Sequence, residues 1–153
     1  MKALPAVILL TTISLSACTG RLPFQPPLAA FQAWQKPGAS SLDTKKALLE
    51  CGMPHPHTAS LPPNDVRTSN QQAETENCLL AAGYTRTEQS PRWCALQPDL
   101  PACQPGVEPL APSVERRLGS HYCLARLDMA YCRQTVSNPS ACTEGPVDPE
   151  CLP

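Results

Sequence analysis

Trp93-Cys94-Ala95-Leu96-Gln97-Pro98-Asp99-Leu100-Pro101-Ala102-Cys103 and, further along, Tyr122-Cys123-Leu124-Ala125-Arg126-Leu127-Asp128-Met129-Ala130-Tyr131-Cys132 decide how this chain is built. Each places an aromatic residue before its first cysteine. Each keeps the same Cys-x8-Cys interval, with an aspartate followed by Leu or Met inside the loop. Cys142 to Cys151 repeats the interval alone. The three stretches read as a degenerate internal repeat. A chain that spends its cysteines in this rhythm is held by disulfides rather than by a large core.

The sequence has 9 cysteines. Setting Cys18 aside leaves Cys51, Cys78, Cys94, Cys103, Cys123, Cys132, Cys142 and Cys151, an even set, as a disulfide framework requires. The shared interval points to 94–103, 123–132 and 142–151, with 51–78 joining two helices. A competing set pairs 132–142 and leaves 123 with 151, because Ser137-Asn138-Pro139-Ser140-Ala141-Cys142 echoes Pro98-Asp99-Leu100-Pro101-Ala102-Cys103. No CxxC or CxxCH occurs. That removes zinc-ribbon, thioredoxin-like and c-type haem readings of the thiols.

Core material is scarce. No isoleucine follows Ile13 and no phenylalanine follows Phe31. Scarce β-branched and aromatic residues argue against a β sandwich, and Leu- and Ala-rich helices fit better. Three helical stretches stand out. Ser40 with Asp43 resembles a capping box at the head of the first, with Asp in place of Glu or Gln; Ala47, Leu48 and Cys51 share a face, and Gly52 ends it before Pro54. The second runs from about Ser69 to Ala82 and stops at Gly83. In the third, Val114, Leu118, Tyr122 and Ala125 follow the spacing of a single face, with Arg116, Arg117 and Arg126 away from it. Prolines break the segments between these helices.

Residues 1–17 read as an address. Met1-Lys2 is a positive start, and the apolar run that follows is too short to span a bilayer. It ends in Leu15-Ser16-Ala17-Cys18. These four residues resemble the lipobox of bacterial lipoproteins. The resemblance implies cleavage before Cys18, diacylglycerol on its sulfur, and a stable anchor of two or three acyl chains. Thr19 stands where an aspartate would imply retention at the inner membrane, which leans toward the outer membrane. The address also places the rest of the chain where disulfides persist.

Residues 18–41 carry Pro23, Pro26, Pro27 and Pro37 and read as an extended tether. Phe24, Phe31 and Trp34 lie in it, either to dock on a membrane or partner or to pack back on the module. Residues 42–153 form that module, helical and cysteine-rich, with an irregular Pro-rich C-terminal part. The fold class expected is thus a small, mainly α-helical, disulfide-stapled module on a lipid-anchored tether. Trp34-Gln35-Lys36-Pro37-Gly38, Ala47 to Gly52, Asn77-Cys78, Gly83-Tyr84 and Leu100-Pro101-Ala102-Cys103 together resemble small, uncharacterised cysteine-containing lipoproteins of Gram-negative bacteria and their prophages. The resemblance supports the lipoprotein class and implies no activity.

Little in the chain points to chemistry. A net charge of −1 provides no basic field for nucleic acid. Met53-Pro54-His55-Pro56-His57 places two imidazoles beside Cys51, and imidazole suits copper or zinc. His55 and His57 are the candidate metal ligands; a site needs one more ligand, so no cofactor is assigned. No Gly-x-Ser-x-Gly is present, and Ser120 next to His121 is not a triad. Asp99 and Asp128 read as caps of turns or short helices. Arg116, Arg117, Arg126 and Arg133, with His121, read as a solvated helix face or a contact for anionic headgroups or an acidic partner. The function expected is a non-enzymatic interaction or structural module of the cell envelope. The alternatives are a prophage-type envelope factor that blocks a receptor and a periplasmic metal-binding protein.

Overall fold

The computed structural model describes residues 28–58, 67–87 and 91–153. The address 1–17, Cys18, Phe24 and the start of the tether lie outside the described residues. Those that are described form a mainly helical module tied by four disulfides.

Helix α1 spans Ser41–Glu50, and α2 spans Ser69–Ala81. The Ser40 hydroxyl accepts the Asp43 N–H at 3.2 Å while Asp43 Oδ2 accepts the Ser40 N–H at 2.8 Å, so two orphan donors are satisfied at the start of α1. Thr68 and Gln71 do the same for α2. Both helices end alike. Gly52 N–H donates to Leu49 O and Met53 N–H to Leu48 O; Gly83 N–H donates to Leu80 O and Tyr84 N–H to Leu79 O. This double bond pattern needs a left-handed residue at the turn, and Gly52 and Gly83 have φ of +89° and +86°.

The Cys51–Cys78 disulfide joins the end of α1 to α2. Around it lies one core cluster of Ala30, Trp34, Ala47, Leu48, Leu79 and Tyr84. Trp34 arrives from a part of the chain expected to be tether. A 3-10 turn at Ala30–Ala33 leads into strand β1 (Trp34–Gln35), which pairs antiparallel with β2 (Thr85–Arg86) in the register Trp34↔Arg86. The folded module therefore begins before residue 42. Trp34 is buried and Phe31 partly so, and burying a large aromatic is worth a few kcal/mol, which explains why they pack back.

Helix α3 (Trp93–Leu96) and a 3-10 turn at Pro101–Cys103 form a loop closed by Cys94–Cys103. Side chains of α2 pin it: Glu76 Oε2 accepts the Trp93 N–H at 2.6 Å, Asn70 Oδ1 the Ala102 N–H at 2.7 Å, and Asn77 Nδ2 donates to Ala102 O at 2.9 Å.

The third expected helix is two. α4 spans Val114–Leu118 and α5 spans His121–Leu127. Gly119 ends the first, and Ser120 starts the second by accepting the Cys123 N–H at 3.2 Å. A glycine followed by a capping serine outweighs the apolar spacing. The single face expected across the break does not form: Val114 is exposed, whereas Tyr122 is buried. Helix α6 (Met129–Thr135) follows directly, with Asp128 Oδ1 accepting from the Ala130 and Tyr131 N–H groups at 2.8 and 3.0 Å.

Two of the preferred disulfides are corrected. Cys123 bonds Cys151, and Cys132 bonds Cys142; the 123–132 and 142–151 pairs do not form. The reason lies in the turns. Cys103, Cys142 and Cys151 each end or follow a 3-10 turn opened by proline (Pro101, Pro139, Pro149). Each bonds a cysteine carried on a helix: Cys94, Cys132 and Cys123. Cys123 and Cys132 are both helical and separated by the extended Asp128, so neither supplies the turn that closes a short loop. Cys123 and Cys151 instead form a second core with Leu49 and Tyr122. α1 thus holds both cores, Leu48 facing one and Leu49 the other.

Candidate functional site

The most densely wired polar region lies where the Met53–His57 loop, α5 and the C-terminal turn meet. The turn after α1 fixes the loop. α5 presents Tyr122 and, one turn later, Arg126. The Cys123–Cys151 disulfide brings in Asp148 and Glu150.

Tyr122 sits at the centre. Its hydroxyl lies 2.8 Å from Asp148 Oδ2 and 2.9 Å from Glu150 Oε1. One proton serves two carboxylates. Burial, then the bonds to Asp148 and Glu150, push the Tyr122 pKa far above its ordinary value. Arg126 stacks over the ring, 3.5 Å from its centroid, and bonds Asp148 and Tyr122 O. Burial pushes the Asp148 carboxyl up, but the Arg126 and Tyr122 bonds outweigh it and hold it below the usual aspartate value. Glu150, 2% exposed, is treated the same way: burial raises it, while a backbone bond and the bonds from His57 and Tyr122 lower it further. Its Oε1 lies 2.9 Å from His57 Nε2 and 3.9 Å from Lys45 Nζ. An ionised carboxylate only accepts, so His57 carries its proton on Nε2.

His55 packs its ring edge-to-face on Tyr122 at 4.6 Å between centroids. Burial, then the charges of Arg126 and His57, drive its pKa down to about 4. It is neutral at physiological pH. His55 Nδ1 accepts the His57 N–H at 3.2 Å, which leaves the proton on Nε2.

Behind this cluster Arg117 is buried at 2% exposure. It donates to Glu50 Oε1 at 3.0 Å, to Glu150 O at 2.6 Å and to Leu152 O at 2.5 Å. The expectation of a solvated arginine face is corrected for Arg117 alone, since Arg126, Arg133 and His121 are exposed. Arg117 is an internal strut, and Arg126 is paired with Asp148. Arg116 differs. It bonds two backbone carbonyls, Glu50 O and Ala111 O (3.1 Å for the latter), and no carboxylate among the described residues.

Beside the Tyr122 cluster opens a cleft of about 700 Å³. Leu49, Met53, Pro54, Ala125 and Val136 supply apolar wall; His55, Tyr122, Arg116, His121 and Arg126 supply polar groups. Among the described residues no aspartate or glutamate lines it.

The structure brings His55 and His57 together within this network, 5.7 Å between ring centroids. No group of three or more His, Cys, Asp or Glu among the described residues could hold a metal. Ser120 Oγ caps α5 and donates to Arg117 O at 2.7 Å, while the His121 ring meets Tyr131. Asp128 caps a short helix; Asp99 is exposed. Sequence reasoning missed Tyr122, Asp148, Glu150 and the buried role of Arg117. The one signal available was Asp148-Pro149-Glu150-Cys151, two acids flanking the proline two residues before a cysteine.

Compared with protein-family models, curated proteins and solved structures, the chain matches none.

Proposed function

We propose that this chain is a lipid-anchored lipoprotein of the cell envelope, held at the outer membrane through Cys18, whose stapled helical module acts as a non-enzymatic interaction or structural surface. One observation carries the reading. All eight cysteines among the described residues pair with one another, which leaves Cys18, the last residue of Leu15-Ser16-Ala17-Cys18, as the odd thiol. An odd cysteine directly after a signal-like apolar run is where acylation belongs. Four disulfides support an oxidising compartment. Among the described residues no helix is long and apolar enough to cross a membrane.

The partner class is an envelope protein or anionic headgroups. Labelling with an alkyne fatty acid tests the anchor. Wild-type protein takes up label and is processed, whereas Cys18→Ser takes up none and stays at precursor length; label retained on the serine variant overturns the reading. Crosslinking from the native envelope tests the interaction role: a protein captured by the acylated form and lost with Cys18→Ser supports it, and recovery of bulk lipid alone counts against it.

A further inference from the structure

We infer that the cleft between the Gly52–His55 loop and α4–α6 binds a small amphipathic monocarboxylate, its head on Arg116 and its apolar body against Met53, Ala125 and Val136. Three observations carry this. The cleft, about 700 Å³, falls in the size range of small-molecule sites, and its wall combines apolar side chains with a few polar groups, as such sites do. The described residues that line it include two arginines and no acid, and Asp148 already bonds the lining Tyr122 and Arg126, so an anion fits at Arg116 and not at Arg126. The cations are not equivalent. Arg126 is neutralised by Asp148, and Arg117 lies outside the cleft, paired with Glu50. Among the described residues Arg116 bonds only neutral carbonyls, which leaves its charge without a carboxylate partner there.

The same accounting sets the ligand's charge. One uncompensated guanidinium matches one carboxylate, whereas a phosphate monoester dianion asks for a second free cation. Gly52 lies beside the Arg116 stem: a Cβ there would stand in ordinary contact, 3.8 Å from Arg116 Cδ. The site belongs to the module and does not depend on acylation of Cys18.

The test uses the full chain, disulfides intact, in zwitterionic nanodiscs, with empty nanodiscs as blank. Sodium 4-phenylbutanoate is the probe, and 4-phenylbutanamide is its neutral counterpart. Binding is read by equilibrium dialysis. Wild-type protein should favour the acid by about 10-fold or more, the worth of one charge-assisted bond. Arg116→Gln keeps a donor for Glu50 O and should bring the acid-to-amide ratio near one. Ala125→Trp fills the cleft and should weaken both ligands about 10-fold or more. Arg133→Gln, an exposed change on α6, should alter neither. An unchanged disulfide map and melting temperature certify each variant as folded. No saturable binding to wild type, a wild-type ratio near one, or a preference that survives Arg116→Gln overturns the proposal.

Discussion

The buried Arg117 and the part-exposed Glu50 form an ion pair that ties three parts of the chain together. The guanidinium Nε donates to Glu50 Oε1 at 3.0 Å, and its Nη1 reaches the carbonyls of Glu150 and Leu152. Glu50 ends α1, Arg117 belongs to α4, and the carbonyls belong to the C-terminal turn. With only 2% of its surface exposed, the arginine has no water to replace any of these partners.

Removing one side of this pair strands the other. Arg117→Ala should destabilise the module by about 2–4 kcal/mol, from two orphaned carbonyls plus a Glu50 carboxylate left unpaired but partly hydrated. Arg117→Lys should recover only part of this, because an ammonium cannot present the planar fork that serves Glu50 and two carbonyls together. Urea unfolding with the disulfides intact measures both. A loss under about 1 kcal/mol for Arg117→Ala would mark an ordinary surface pair instead.

The parts of the fold legible in the sequence are those written in local backbone chemistry. α1 and α2 start and stop where Ser40, Gly52 and Gly83 place them, because capping boxes and left-handed glycines act over four or five residues. Of the disulfides, 94–103 follows the shared Cys-x8-Cys interval, and 51–78 is the pair expected to join the first two helices. The other two do not follow that interval, since an identical spacing hid a difference in the turns. Pro139 and Pro149 open the 3-10 turns that present Cys142 and Cys151, and nothing of the kind lies between Cys123 and Cys132. The Tyr122 cluster was illegible because its members come from residues 55–57, 122–126 and 148–150, joined only after Cys123 meets Cys151.

Peptide mapping under non-reducing conditions should therefore find 123–151 and 132–142 beside 51–78 and 94–103. The 123–151 and 132–142 staples differ in weight. Their sequence separations are 28 and 10 residues, so removing them as Ser pairs should cost about 3.5 and about 2.5 kcal/mol on the chain-entropy account. Loss of 123–151 should also quench the Tyr122 network, because Asp148 and Glu150 lose their tether. Recovery of a 123–132 peptide refutes the arrangement.

Asp128 stands alone between α5 and α6 and accepts two N–H groups of the second helix. Asp128→Ala should cost about 1 kcal/mol, while Asp128→Asn should lose only a fraction of that, since either side-chain oxygen caps well. Amide exchange of Ala130 and Tyr131 gives the local readout. Protection that is unchanged in the alanine variant would show that α6 is held by Cys132–Cys142 and not by its cap.

The pH dependence should come in two stages, with His55 responsible for the first. Its ordinary pKa of 6.5 falls to about 4 in the folded protein because burial, then the charges of Arg126 and His57, oppose protonation. The unfolded chain thus binds more protons than the folded one between these values. The stability gained from neutral His55 is complete above pH 6.5 and is lost as the pH falls toward 4. It amounts to on the order of 2 kcal/mol once its partial exposure is discounted. Asp148 and Glu150, both held below their ordinary values of 3.8 and 4.5, add a second loss as the pH falls below those values. His55→Asn keeps an acceptor near Nδ1 but cannot titrate. Its unfolding free energy should start lower, for want of the ring contact with Tyr122, and stay level from pH 6.5 to 4 before the carboxylate stage appears. Wild type should decline throughout. A His55→Asn profile that runs parallel to wild type between pH 6.5 and 4 would remove His55 as the source of the first stage.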